Sequence, residues 1–223
     1  MDDIFPGATQ HVKGLSEERI KLITAQGLAG VCAVWALDMI ARGVHKRVID
    51  ETRYNNLARV QHLIEKQRDY QTDGDLARIA KRFHLRSNQT ETFSWSGRIG
   101  DEDYDDPIDT TAAQFMYVQC DFNRDGDKLG HAMFVGYFGN EVHFGDPCLG
   151  LWQVNNVRPD ELIHKLTEVL GTKGGMGKCT GWRANVYTPL SPEQPESSTS
   201  EAQALQASQA SPAPKKPFQP VWD

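Results

Sequence analysis

Between Val31 and Ala41 the chain reads Val-Cys-Ala-Val-Trp-Ala-Leu-Asp-Met-Ile-Ala, apolar on every side apart from Asp38. A helix of that composition has no face to offer water, so it belongs inside a core with other elements packed round it. The 223 residues are enough to build such a core. Gly27 and Gly30 punctuate the approach to the helix and are expected to let backbones come close. Cys32 falls in the first turn, where unpaired backbone N–H groups and the positive end of the helix dipole both favour a thiolate. The same position suits an inert buried cysteine, so the thiol needs partners before it means anything.

Candidate partners lie in the second half of the chain. Gln114 to Asp121 and His131 to Phe138 are rich in aromatic and β-branched residues and predict strands, with the turn-forming run Asn123-Arg124-Asp125-Gly126-Asp127 between them. Glu141 to Phe144 predicts a third strand, closed by Gly145-Asp146-Pro147. His131 then opens one strand and Asp146 closes its antiparallel neighbour, so an imidazole and a carboxylate can meet. A base near neutral pH, with a carboxylate fixing its tautomer, is what a cysteine nucleophile requires. His143, three residues before Asp146, is the rival base, though alternation turns it away from the face shared by Val142 and Phe144.

Gly30-Val31-Cys32, Gly130-His131-Ala132 and Phe144-Gly145-Asp146-Pro147 together make the chain resemble the papain-like cysteine proteases, most closely the YopT/AvrPphB type of bacterial effector protease. The resemblance implies a nucleophile, base and orienting Asp in this chain order, the Asp about fifteen residues after the His and followed by Pro. It also implies a Gln six residues before the nucleophile. Gln26 stands there, and its side-chain amide with the Cys32 backbone N–H would form an oxyanion hole. Two departures stand out. Cys148 occupies a position where a small polar residue is expected, and the interval from Cys32 to His131 is short for the family.

Helical patterns come first along the chain. Ser16 with Glu17 and Glu18 opens a short helix ending at Gly27, and Asp50 to Tyr70 and Gly74 to Leu85 each carry an apolar stripe. A polar stretch and then Asp101 to Asp109, with six carboxylates and Pro107, predict a loop. After the strands come a short strand at Leu151 to Val154, a helix from Pro159 to Leu170 bounded by Pro159 and Gly171, and a last strand from Trp182 to Tyr187. Helices first and antiparallel strands second is an α+β order, in keeping with the papain-like division into a helical lobe, carrying the nucleophile on a central buried helix, and a sheet lobe. The organisation expected is an irregular arm over 1–14, one papain-like domain over 15–190, and a disordered tail over 191–223. That tail holds six of the eleven prolines and is otherwise mostly Ser, Gln, Ala and Glu. Its aromatic end, Phe218 and Trp222, is a candidate short motif for a partner.

The net charge of −6 argues against nucleic acid as a partner. Four cysteines without zinc-ligand spacing point to a reducing compartment, with no metal or other cofactor expected. Asp121 to Asp127 opens like a calcium loop, but its twelfth position is Ala132; Gly174 to Cys179 misses the phosphate-loop register. Neither is taken as a site. With no secretory leader after Met1-Asp2-Asp3 and no apolar run of membrane-spanning length, the expectation is a soluble protein. It would be exported without a cleaved signal peptide into a host cytosol, or else stay in the bacterial cytoplasm. The function expected is a thiol protease acting on a specific host protein. The same triad also supports glutamine deamidation or acyl transfer, and a non-catalytic binding module is the remaining alternative.

Overall fold

The computed structural model describes residues 5–44, 55–95, 114–138 and 140–190. The acidic segment Asp101–Asp109 and the tail 191–223 lie outside the described residues. In chain order the elements are β1 (Thr9–Val12), α1 (Glu17–Ala25), α2 (Cys32–Val44), α3 (Leu57–Asp73), α4 (Leu76–Arg82), β2 (Leu85–Trp95), β3 (Gln114–Arg124), β4 (Asp127–Phe138), β5 (Glu141–Asp146), β6 (Gly150–Asn155), α5 (Pro159–Thr172) and β7 (Lys178–Pro189).

Among the described residues the strands form one seven-stranded antiparallel sheet in the order β1-β6-β5-β4-β3-β7-β2. Alternation along its central strands divides the core in two. Phe115, Tyr117, Ala132 and Phe134 pack with α1 to α4, whereas Met116, Val118, Met133 and Val135 pack with Leu162, Ile163 and Leu166 of α5. The molecule is therefore α+β with helices on both faces of the sheet, and α2 lies between the sheet and α3. Its residues from Ala33 to Ala41 are all buried. Asp38, the one charge in the run, is buried too and forms ion pairs with Arg42 at 3.1 Å and with Arg59 of α3. An isolated charge there would be costly; two guanidinium partners make it tolerable.

Three local expectations change. The N-terminal arm is not irregular throughout: Thr9–Val12 pair with β6 at the edge of the sheet, and Phe5 is buried against Phe144. The polar stretch after α4 is strand β2, which among the described residues pairs on one side, with β7. A strand at the rim of a sheet needs no apolar alternation, and the exposed Arg86 on it discourages pairing with other chains. Finally, β4 begins at Asp127, four residues ahead of His131, because Asp125 and Gly126 both take positive φ and close a tight two-residue hairpin with β3.

Candidate active site

Cys32 is the first residue of α2 and is half-buried as a residue. The chain reaches it through Gln26, the C-cap of α1, and Gly27, whose φ of 73° makes the left-handed turn after that helix. A side chain at Gly27 or Gly30 would meet nothing within 4 Å, so the glycines do not serve close packing, contrary to the sequence expectation. Leu28 and Val31 anchor the linker in the core.

His131 stands on β4 just past the end of its pairing with β5, whose last matched residues are Phe134 and Gly145. At that point β5 ends at Asp146 and the chain turns through Pro147-Cys148-Leu149 into β6. The Asp146 side chain is free of the ladder and meets the His131 ring, with Oδ2 2.9 Å from Nε2. Its other oxygen, Oδ1, accepts from the backbone N–H groups of Cys148 at 2.7 Å and Leu149 at 2.6 Å. The carboxylate is wholly buried and has both oxygens committed.

With Nε2 on the carboxylate, Nδ1 is the ring nitrogen left for the thiol, and a hydrogen-bonding and charge interaction between the ring and Cys32 is felt in the titration of both groups. Burial opposes the Cys32 thiolate. The hydrogen bond and positive charge of His131, with a backbone bond from Ala132, outweigh it, and the pKa ends below that of an ordinary cysteine. For His131, burial favours the neutral ring, but bonds and charges from Asp146 and Cys32 prevail and lift the pKa above the ordinary histidine value. A lowered thiol beside a raised imidazole is the electrostatic form of a thiolate–imidazolium pair.

The other thiols behave oppositely. Burial pushes Cys120 well up and raises Cys179. Cys148 is exposed as a residue, yet the protein around its sulfur, then the charges of Asp146 and Cys32, push it up to about 12. His143, the rival base, is engaged with Glu141 at 3.6 Å and stacks on His11.

Gln26 does not join this relay directly. Its exposed side chain accepts, through Oε1, a hydrogen bond from the Arg68 guanidinium of α3. Two neighbours of Arg68 also serve the site. Gln67 is buried, and its Oε1 accepts a long bond, 3.5 Å, from the Val34 N–H in the first turn of α2. Tyr70 is close enough for a negative charge on Cys32 to raise its pKa, after burial. The sequence carried a signal for Gln67: it is the polar member of the stripe Val60, Leu63, Ile64, Gln67, at core-facing spacing.

No protein-family model and no curated protein matches the sequence. Among solved structures, the fold is similar to that of the crystal structure of Pseudomonas avirulence protein AvrPphB, with a TM-score of 0.52 and 13% sequence identity over 73% of this chain and 94% of that one. The likeness is one of fold, the papain-like α+β arrangement that the sequence motifs imply.

Proposed function

We propose that the chain is a cysteine endopeptidase in which Cys32 is the nucleophile, His131 the general base and acid, and Asp146 the orienting carboxylate. The observation that carries the reading is the relay from the buried Asp146 carboxylate through His131 to a thiol at the head of the central helix. The Cys32 thiolate bonds to the scissile carbonyl carbon, and the oxygen takes up negative charge. The Gln26 amide and the Cys32 backbone N–H accommodate that charge; each such donor is worth about 10²- to 10³-fold in rate. Collapse breaks the C–N bond, and the leaving amine takes its proton from His131. Water then gives a proton to His131 and attacks the thioester, and C–S cleavage restores the ion pair. Asp146 holds the ring in the tautomer that keeps Nδ1 toward sulfur.

The substrate class is a specific host-cell protein and the setting is that of an exported bacterial effector. The fold shared with an avirulence protein supports that setting. Among the described residues no helix is long and apolar enough to cross a membrane.

Treating host lysate with the wild-type chain and with Cys32→Ala, followed by mass spectrometry, tests the reaction. New peptide termini that require Cys32 are expected. Termini made equally well by Cys32→Ala refute the proposal, and Cys32-dependent conversion of Gln to Glu without new termini replaces proteolysis by deamidation. Iodoacetamide at pH 6 tests activation itself: Cys32 should react far ahead of Cys120, Cys148 and Cys179, and equal, slow labelling would indicate a binding module.

A further inference from the structure

We infer that Arg68 is a positioning residue that fixes the orientation of the Gln26 side-chain amide, so that its N–H groups rather than its carbonyl are available to a developing oxyanion. The inference rests on the thiol-protease reading above and extends it to a residue that the sequence motifs do not mark.

The argument begins with α3. Its N-terminus is capped by Asn56, whose side chain accepts from the Ala58 N–H, and Gly74 ends it in the left-handed conformation. Val60, Leu63 and Ile64 bury one stripe in the core, and Gln67, the next member, bonds the first turn of α2 through the Val34 N–H. The last turns of α3 are thereby registered against the helix end that carries Cys32. The following residue is rotated by about 100° round the helix. That rotation takes Arg68 out of the core and across to the end of α1, where its Nη2 donates to Gln26 Oε1.

A primary amide is nearly symmetric in shape but opposite in charge at its two ends, and it can present either one. Guanidinium has donors only. Its bond to Gln26 is therefore compatible with one orientation of the amide: Oε1 on Arg68, and Nε2, with two N–H donors, on the other side. Without Arg68 the amide is free to turn, and the flipped form would aim a carbonyl oxygen at a second negative oxygen. Both side chains are exposed, so the bond adds little to the stability of the fold. Its loss should be visible in chemistry and not in folding.

Two small reagents separate the effects. Acylation of Cys32 by p-nitrophenyl acetate passes through a tetrahedral oxyanion, whereas alkylation by iodoacetamide is a direct displacement that forms none. In Arg68→Met the burst of p-nitrophenol release should slow about tenfold, a fraction of the value of a whole oxyanion donor, with alkylation of Cys32 within about twofold of wild type and an unchanged melting temperature. Arg68→Lys, which keeps a donor, should recover part of the loss. The double variant Arg68→Met/Gln26→Ala should be no slower than Gln26→Ala, because the two residues act as one unit. Equal slowing of both reagents, no slowing of either, or additive losses in the double variant would overturn the assignment of Arg68. A burst that survives Cys32→Ala would instead remove the thiol-protease reading on which it stands.

Discussion

Replacing Asp146 by Asn isolates the charge of the carboxylate from its shape. The Asn carbonyl oxygen can keep the position of Oδ1 and accept from the Cys148 and Leu149 N–H groups, so the turn between β5 and β6 should survive. The amide nitrogen then takes the place of Oδ2 and faces Nε2 of His131, a donor opposite a donor whenever the ring is protonated. A hydrogen bond to a charged group is worth about 1.5–3 kcal/mol, and one pKa unit corresponds to about 1.4 kcal/mol, so the imidazolium should lose about 1–2 units of stabilisation. The sign follows from the directions above. Asp146 raises His131, so its removal lowers the ring pKa and favours neutral ring plus thiol over thiolate plus imidazolium. Asp146 also disfavours the thiolate by its own charge, the last and smallest of the influences on Cys32, and losing that repulsion offsets only part of the change. The ratio of ion pair to neutral pair should therefore fall about ten- to a hundredfold. Iodoacetamide alkylation of Cys32 at pH 6, where free thiols hardly react, reads this ratio, and thermal unfolding verifies the fold. A well-folded Asp146→Asn that alkylates at the wild-type rate would show that the carboxylate does not sustain the ion pair.

Two further perturbations bear on the frame around the site. A Cβ added at Gly14 would lie 1.9 Å from the Cys148 carbonyl oxygen, so Gly14→Ala should cost about 1–3 kcal/mol by overpacking and, by shifting the N–H groups that hold Asp146 Oδ1, slow the alkylation of Cys32. Gly30→Ala, which meets nothing within 4 Å, is the control for thermal unfolding, and equal melting temperatures for the two variants would refute the packing argument. Asp38→Ala leaves Arg42 and Arg59 without their shared carboxylate beside the central helix. Urea unfolding should show a loss of about 3 kcal/mol, and a loss below about 1 kcal/mol would mean that water compensates both cations.

What could be read from the sequence is what depends on short-range pattern. The burial of α2 follows from a run with no polar side, and the start of that helix at Cys32 from the glycine-punctuated turn before it. The spacing of fifteen residues between His131 and Asp146 is the length of one strand, a turn and a second strand, which is why the two side chains come together at 2.9 Å. The Asp125-Gly126 hairpin and the Pro159 helix start are local chemistry of the same kind. The unread parts are those in which polar residues gain structure from distant neighbours. Among the described residues β1 and β2 are the two rims of the sheet, each with one partner strand, and their sequences look like loop for that reason. Gln67 and Arg68 lie in an amphipathic helix, and nothing local announces that one bonds the head of α2 and the other the end of α1.

The segment before α1 has a consequence for the site that its edge position conceals. Val12 is buried, the Leu15 N–H donates to the Pro147 carbonyl at 2.7 Å, and the Asn55 side chain donates to the Gly14 carbonyl at 3.3 Å. Gly14 and Gly150 let this segment press against the turn that follows Asp146; at either position a Cβ would fall 2.1 Å or less from a facing carbonyl oxygen. That turn supplies both N–H groups to Asp146 Oδ1. A packed interior transmits small displacements because it has little free volume to absorb them. The orientation of His131 is therefore supported in series: segment 12–15 against the turn, the turn against the carboxylate, the carboxylate against the ring. On the nucleophile side the supports are different, Gln67 from α3 and the apolar packing of α2 on the sheet. Thiol and imidazole are thus oriented by different sets of contacts, one mostly helical and one made of strand ends, and they come together where the head of α2 packs on β4.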